Sequence, residues 1–231
     1  LPTVESVIID PLSYELDRDF LLKKMRLKQG SDYIEKYDLL LQEAKSICHP
    51  RAIYRMAFIT SRGDQHVVAD GQQFKSRVLA VNLERLHRFF AYVVTSGQEA
   101  EDWAYGKKDL LERYWADTIN ESVVSSARAA MESHIKQTYG LEKTARMSPG
   151  SLPDWPVDQQ HVLFQLLGDT KGSIGVTLSE SMLMMPLKSV SGILFENDEG
   201  FSSCGLCPRE GCPGRKSPYE SGLYERRFKI S

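Results

Sequence analysis

Three of the four cysteines stand together as Cys204-x2-Cys207-x4-Cys212, among Gly205, Gly211 and Gly214. Thiolates bind zinc and iron–sulfur clusters, and glycines let a short loop wrap tightly enough to aim several sulfurs at one ion. Arg209, Arg215 and Lys216 lie beside the loop and offset the charge that three thiolates would carry. A disulfide framework would instead space its cysteines across the fold of a secreted chain, so clustering favours metal or redox chemistry. Cys204, Cys207 and Cys212 are therefore candidate metal ligands, with the fourth position open to Cys48, His49 or another residue, or left exchangeable on a cluster. A reduced, exposed loop with incidental spacing is the bland alternative. The spacing is not that of the ferredoxins.

Other chemistry-bearing patterns are weaker. Asp64-x-His66 followed by Ala69 holds the Asp and His of the D-x-H-x-x-G motif with which corrinoid proteins ligate cobalt, but Ala replaces the Gly and the tract falls in an expected hairpin. The run from Gly168 to Ser173 imitates a phosphate loop without its G-x4-GK[ST] spacing. No Ser/His/Asp set, GxGxxG or HExxH is legible, so nothing points to a nucleoside triphosphate or a hydrolytic triad.

The elements that must position such residues follow from periodicity. Ile34, Tyr37, Leu41, Ala44 and Ile47 recur at three- and four-residue intervals, which predicts a helix over 34–47 that Pro50 ends. Residues 52–60 are rich in β-formers. Val67 to Val81 carries an Asp70-Gly71 turn between apolar runs, the pattern of a hairpin. Arg88 to Thr95, centred on FFAYVV, reads as a buried strand. From Asp109 to Tyr139 there is neither Pro nor Gly, which predicts one long helix or two divided near Asn120. Asp154 is placed to cap a short helix opened by Pro156, and strands are expected at 174–178 and 190–195.

The stretch from Arg146 to Phe195 ties several motifs together. Arg146 with Gly150 precedes a Pro-rich turn, a helix, Thr177-Leu178-Ser179-Glu180-Ser181, and Pro186 with Ser189-Val190-Ser191-Gly192. In order and near-spacing this resembles the reactivation domain of cobalamin-dependent methionine synthase, and in particular free-standing relatives that bear a three-cysteine tail. The likeness runs from Ala52 to Phe195; Ser151 stands where the family has tyrosine.

The resemblance implies an α+β fold: one mixed domain with a twisted, mainly antiparallel sheet packed by helices, plus a small Cys-rich C-terminal appendage. It divides the chain into an N-terminal helical segment at 1–50, the activation-like core at 51–196 and the tail at 197–231. It also implies a site for S-adenosylmethionine. Arg146 suits the ligand's carboxylate, because a guanidinium donates two parallel hydrogen bonds. Ser148 and Gly150 form the turn along which main-chain atoms meet the ligand. Asp117 and Glu121, four apart on one helix face, match the family's acidic pair, with Glu121 for the ligand's amino group. Glu180 matches an acidic strand end.

The implied activity is reductive methylation of cob(II)alamin on a separate corrinoid-binding methyltransferase, fed by an electron donor protein. A task that moves single electrons places an iron–sulfur cluster ahead of zinc for the cysteines. The alternative is an iron–sulfur or zinc electron carrier or assembly factor that keeps the fold without methyl donor chemistry. A purely structural binding module is a third reading.

Composition agrees with these classes and excludes others. A formal charge of −2 over 231 residues, without basic runs, lacks the footprint of nucleic-acid binding. No apolar stretch approaches the roughly 20 residues that span a bilayer, and LPTVESVIIDP is no signal peptide, so a cytoplasmic protein without a membrane partner is expected.

Overall fold

The 13-residue strand β2 (Arg51–Gly63) and the eight-residue strand β5 (Arg88–Thr95) pair in register from Arg51↔Thr95 to Phe58↔Arg88 and form the centre of a computed structural model that describes residues 5–212 and 214–229. β5 is the predicted FFAYVV strand, and seven of its eight residues are buried. Such a strand has a layer of side chains packed on each face.

Around this pair lie β1 (Val7–Ile9), β3 (His66–Ala69), β4 (Gln72–Lys75), β6 (Thr144–Met147) and β9 (Ser189–Glu196), while β7 (Thr177–Leu178) and β8 (Met184–Met185) form a separate small hairpin. The seven-stranded sheet runs β4-β3-β2-β5-β9-β6, with β1 also against β2, and every pairing is antiparallel. β6 is thus an edge strand. The helices are α1 (Arg18–Lys24), α2 (Ile34–Ile47), α3 (Arg77–Asn82), α4 (Gln98–Tyr105), α5 (Leu110–Tyr139), α6 (Gln160–Leu167), α7 (Thr170–Ile174) and α8 (Leu223–Arg227). The architecture is the expected α+β arrangement with a mainly antiparallel sheet. Among the described residues no helix is long and apolar enough to cross a membrane.

Helix α5 runs unbroken through Asn120 for 30 residues. Asp109 caps its first turn by accepting from the N–H groups of Leu111 and Glu112, and Gly140, in the left-handed region, ends it. Val124, Ala127, Met131 and Ile135 of α5 pack against Tyr54, Phe90, Tyr92 and Leu194 on one face of the sheet. Its N-terminal half, through Trp115, Ile119 and Val123, packs against α1, α2 and α4. The opposite sheet face, with Ile53, Ala57, Phe89, Val93, Ile193 and Phe195, is covered by Trp155, α6, α7 and the C-terminal Phe228.

Three local expectations are corrected. Residues 78–81 form part of α3, because Ser76 caps a helix there by accepting from Leu79 N–H. Asp154 caps that same helix from a distance, accepting from Val78 N–H at 2.9 Å, rather than opening its own; a 3₁₀ turn (Val157–Gln159) follows Pro156. The strand expected at 174–178 shortens to Thr177–Leu178 because Asp169 caps α7 just before it.

The tail does not fold over a core of its own. Phe228 is fully buried in the main core, and Phe201, Leu206, Cys207 and Leu223 pack against the same cluster. Tyr224 donates its hydroxyl to Asp154 at 3.2 Å, tying α8 to the capping carboxylate of α3.

Candidate functional site

Arg146 sits on edge strand β6 between the buried Ala145 and Met147, so strand alternation turns its side chain to the opposite face, toward α5. There its Nη1 lies 3.0 Å from Oε1 and 3.3 Å from Oε2 of Glu132. Glu132 also takes the Arg128 guanidinium one turn back on α5. One carboxylate thus fixes two cations whose side chains are all largely covered.

Beyond Arg146 the chain turns. Ser151 donates its hydroxyl to the Ser148 carbonyl, and Gly150 N–H donates to the Trp155 carbonyl at 2.7 Å. Gly150 holds a φ of +80°, a conformation that side chains disfavour, and lies against Val157. Opposite the turn, Gly192 on β9 permits a close approach: a Cβ there would meet Met147 O at 2.5 Å and Ser148 Oγ at 2.8 Å. The glycine of the Ser-Val-Ser-Gly motif is therefore what lets β6 and its following turn lie down on β9.

An open cleft of about 440 Å³ results, lined on one side by Arg146, Ser148 and Ser151 and on the other by the tail through Cys204, Lys216 and Ser217. It is electropositive. Burial and the charges of Arg146 and Arg128 together lower the Lys216 ammonium below its ordinary value. Below it, Tyr92 is pushed up to about 12 by burial and the Glu132 charge. For Cys204, burial raises the thiol, but N–H groups of Lys216 and Ser217, the Ser202 hydroxyl and the Arg215 charge outweigh it and bring it below its usual value.

The structure brings together only part of the predicted set. Arg146, Ser148 and Cys204 share the cleft, with Gly150 at its turn. Asp117 instead pairs with Lys188 at 2.9 Å, and Glu121 with Lys24 of α1 at 3.1 Å. Glu121 lies 11 residues before Glu132, about 16 Å along the helix, too far to share one amino acid group with Arg146. Glu180 is exposed in the turn between β7 and β8. Glu132 was not legible as a site residue, although its i+4 spacing from Arg128 and its place on the Asp117–Glu121 face mark it.

The cysteines do not assemble the ligand set that their spacing predicts. Among the described residues no group of three His, Cys, Asp or Glu side chains is placed to hold a metal ion. Cys207 packs toward the core while Cys204 faces the cleft, and Cys48 is buried at the C-terminal end of α2, among helices α1, α2, α4 and α5. None is in a disulfide.

Residues 69–203, more than half of the chain, match the family described as vitamin B12 dependent methionine synthase, activation domain. The chain belongs to this family. Arg146, the Ser148–Gly150 turn and Gly192 all fall inside the matched segment. Among solved structures, one titled "Crystal Structure of the MetH Reactivation Domain bound to AdoHcy" is similar with a TM-score of 0.59 and 14% identity, over 87% of this chain and 82% of that one. At that identity the likeness is one of activation-domain fold. The search of curated proteins found no match.

Proposed function

We propose that the cleft between β6, its following turn and the tail binds S-adenosylmethionine by its amino acid end, and that the chain thereby supports reductive methylation of cob(II)alamin on a separate corrinoid-binding methyltransferase. The observation that carries this reading is Arg146: within the segment matching the activation domain, it reaches an open cleft with its guanidinium oriented by Glu132. The donor set fits the ligand. The Arg146 guanidinium suits the carboxylate, and the hydroxyls of Ser148 and Ser151 suit a ribose; Glu132 lies behind Arg146 and orients it. The proposed site thus keeps Arg146, Ser148 and Gly150, with Glu132 as the carboxylate that positions Arg146.

The ligand supplies an electrophilic methyl group on a sulfonium; the protein's part is to hold and aim it, and the electron comes from a donor protein. No general base is required, because no proton moves in the transfer. The fold match to a domain titled as bound to AdoHcy supports the same ligand class here.

Titration calorimetry with S-adenosylhomocysteine tests the reading. Binding to the unaltered chain and its loss in Arg146→Ala are expected. Absence of binding, or equal binding by the variant, overturns it, and an electron carrier without methyl donor chemistry would give that result.

A further inference from the structure

Cys204 and Cys207 occupy the two ends of one tight turn. The 3₁₀ segment Ser203–Leu206 brings Cys207 N–H to the Cys204 carbonyl at 3.2 Å. Arg215 clamps both ends, donating through Nη1 to the Cys204 carbonyl and through Nη2 to the Cys207 carbonyl, each at 3.2 Å. A turn of this kind keeps its terminal Cα atoms within about 7 Å, and a disulfide needs about 4.4 to 6.8 Å. The turn thus holds the two backbones close to the separation of a bridge, and Cys207 has to swing out of its core contact to meet Cys204.

The two thiols have unlike surroundings. The Cys204 sulfur accepts from Lys216 N–H at 3.4 Å and lies in the wall of the open cleft, near Arg146 and Lys216. Cys207 packs against the core cluster. A thiol in an electropositive opening is the one that a solute meets, and the neighbour three residues on is placed to resolve the product. Arg128, Arg146 and Lys216 carry three positive charges here against the single carboxylate of Glu132. An anionic solute is favoured over a cationic one.

We propose that Cys204 and Cys207 form a reversible dithiol–disulfide site that reacts with small anionic disulfides. The Cys204 thiolate attacks one sulfur of the solute, forming a mixed disulfide and releasing one thiolate. Cys207 then gives up its proton to that released thiolate and attacks the Cys204 sulfur, expelling the second thiolate, which takes up the proton first lost by Cys204. The protein loses two hydrogens and the solute becomes two thiols, so electrons and protons balance. Cys204 opens into the same cleft as the proposed methyl donor site, but its exchange with a disulfide needs neither that ligand nor a bound metal.

The reduced full chain is treated with oxidised glutathione, and in parallel with cystamine, a cationic disulfide, and peptides are mapped by mass spectrometry. A Cys204–Cys207 bridge is expected, forming about tenfold faster with oxidised glutathione at low salt, with the preference shrinking as salt screens the cleft. In Cys207→Ser a glutathione adduct should persist on Cys204, and in Cys204→Ser none should form on Cys207. The proposal is overturned by a bridge to Cys212, by a persistent adduct on Cys204 in the unaltered chain, by cystamine reacting as fast, or by one tightly held metal per chain that blocks the three thiols until chelated. Failure of S-adenosylhomocysteine to bind would leave each of these readouts intact, so the two readings fail separately.

Discussion

Arg146 on the edge of the sheet pairs directly with Glu132 on the long helix, Nη1 to Oε1 at 3.0 Å, with Arg128 closing on the same carboxylate. This pairing holds a cation in place without neutralising its surroundings. Replacing Arg146 by Ala is expected to weaken S-adenosylhomocysteine binding by about 10- to 100-fold, the size of a charged hydrogen-bonded contact of roughly 1.5 to 3 kcal/mol. Arg146→Lys should not restore it, because an ammonium lacks the planar fork. Urea unfolding should move only modestly in either variant, by about 1 kcal/mol, since Glu132 keeps its second partner Arg128.

Gly192 has no room for a methyl group. Its Cβ would fall 2.5 Å from Met147 O, 2.8 Å from Ser148 Oγ and 3.0 Å from the Tyr92 hydroxyl. Gly192→Ala is expected to push β6 off β9 and to destabilise the chain by about 1 to 3 kcal/mol, as overpacking does. Urea midpoints measure the loss. A variant as stable as the parent would show that the edge strand yields freely.

Phe228 carries the attachment of the tail. Phe228→Ala should cost about 3 to 5 kcal/mol if the emptied site does not collapse. Because Cys207 packs against the same cluster, its reaction with iodoacetamide should quicken in this variant while that of Cys48, on the far side of the sheet, stays unchanged. Alkylation followed by peptide mapping reads both.

Cys48 is held protonated far into the alkaline range. Burial first, and the Glu99 charge second, push its thiol up to about 12 from an ordinary value of 9.0. The folded state thus keeps a proton that the unfolded chain releases, and the associated stability is present below pH 9 and lost as pH rises from about 9 toward 12. Between pH 9 and 10 the parent should lose about 1 kcal/mol more than Cys48→Ala, following the exchange rate of 1.36 kcal/mol per pKa unit. Urea midpoints at the two pH values decide it.

Much of the frame was legible because its signals are local. The α2 boundaries at Ile34 and Ile47, and those of β5 at Arg88 and Thr95, follow from apolar periodicity and from a run of aromatic and β-branched residues. Helix α5 is bounded by a capping Asp and a left-handed Gly, both visible as residue types. What escaped depends on distant contacts. Asp154 looks like a cap for the helix after it, yet its carboxylate serves α3, 76 residues earlier. Resemblance points to Glu121 for the ligand's amino group, yet the carboxylate beside Arg146 is Glu132, because spacing along a helix does not say which turn faces an edge strand. The three cysteines read as one ligand set, whereas the core draws Cys207 one way and the cleft leaves Cys204 the other. For the tail, poor apolar content concealed that a single aromatic, Phe228, anchors it.

Asp117, Glu121, Ser125, Arg128 and Glu132 form one ridge along α5, with Lys188 meeting the first of them, Lys24 the second and Arg146 the last. The ridge is about 22 Å long and belongs to a helix packed between sheet and helices. Because its carboxylates grip a residue before β9, α1 and β6 in turn, α5 is a spine to which three separate parts of the chain are stitched.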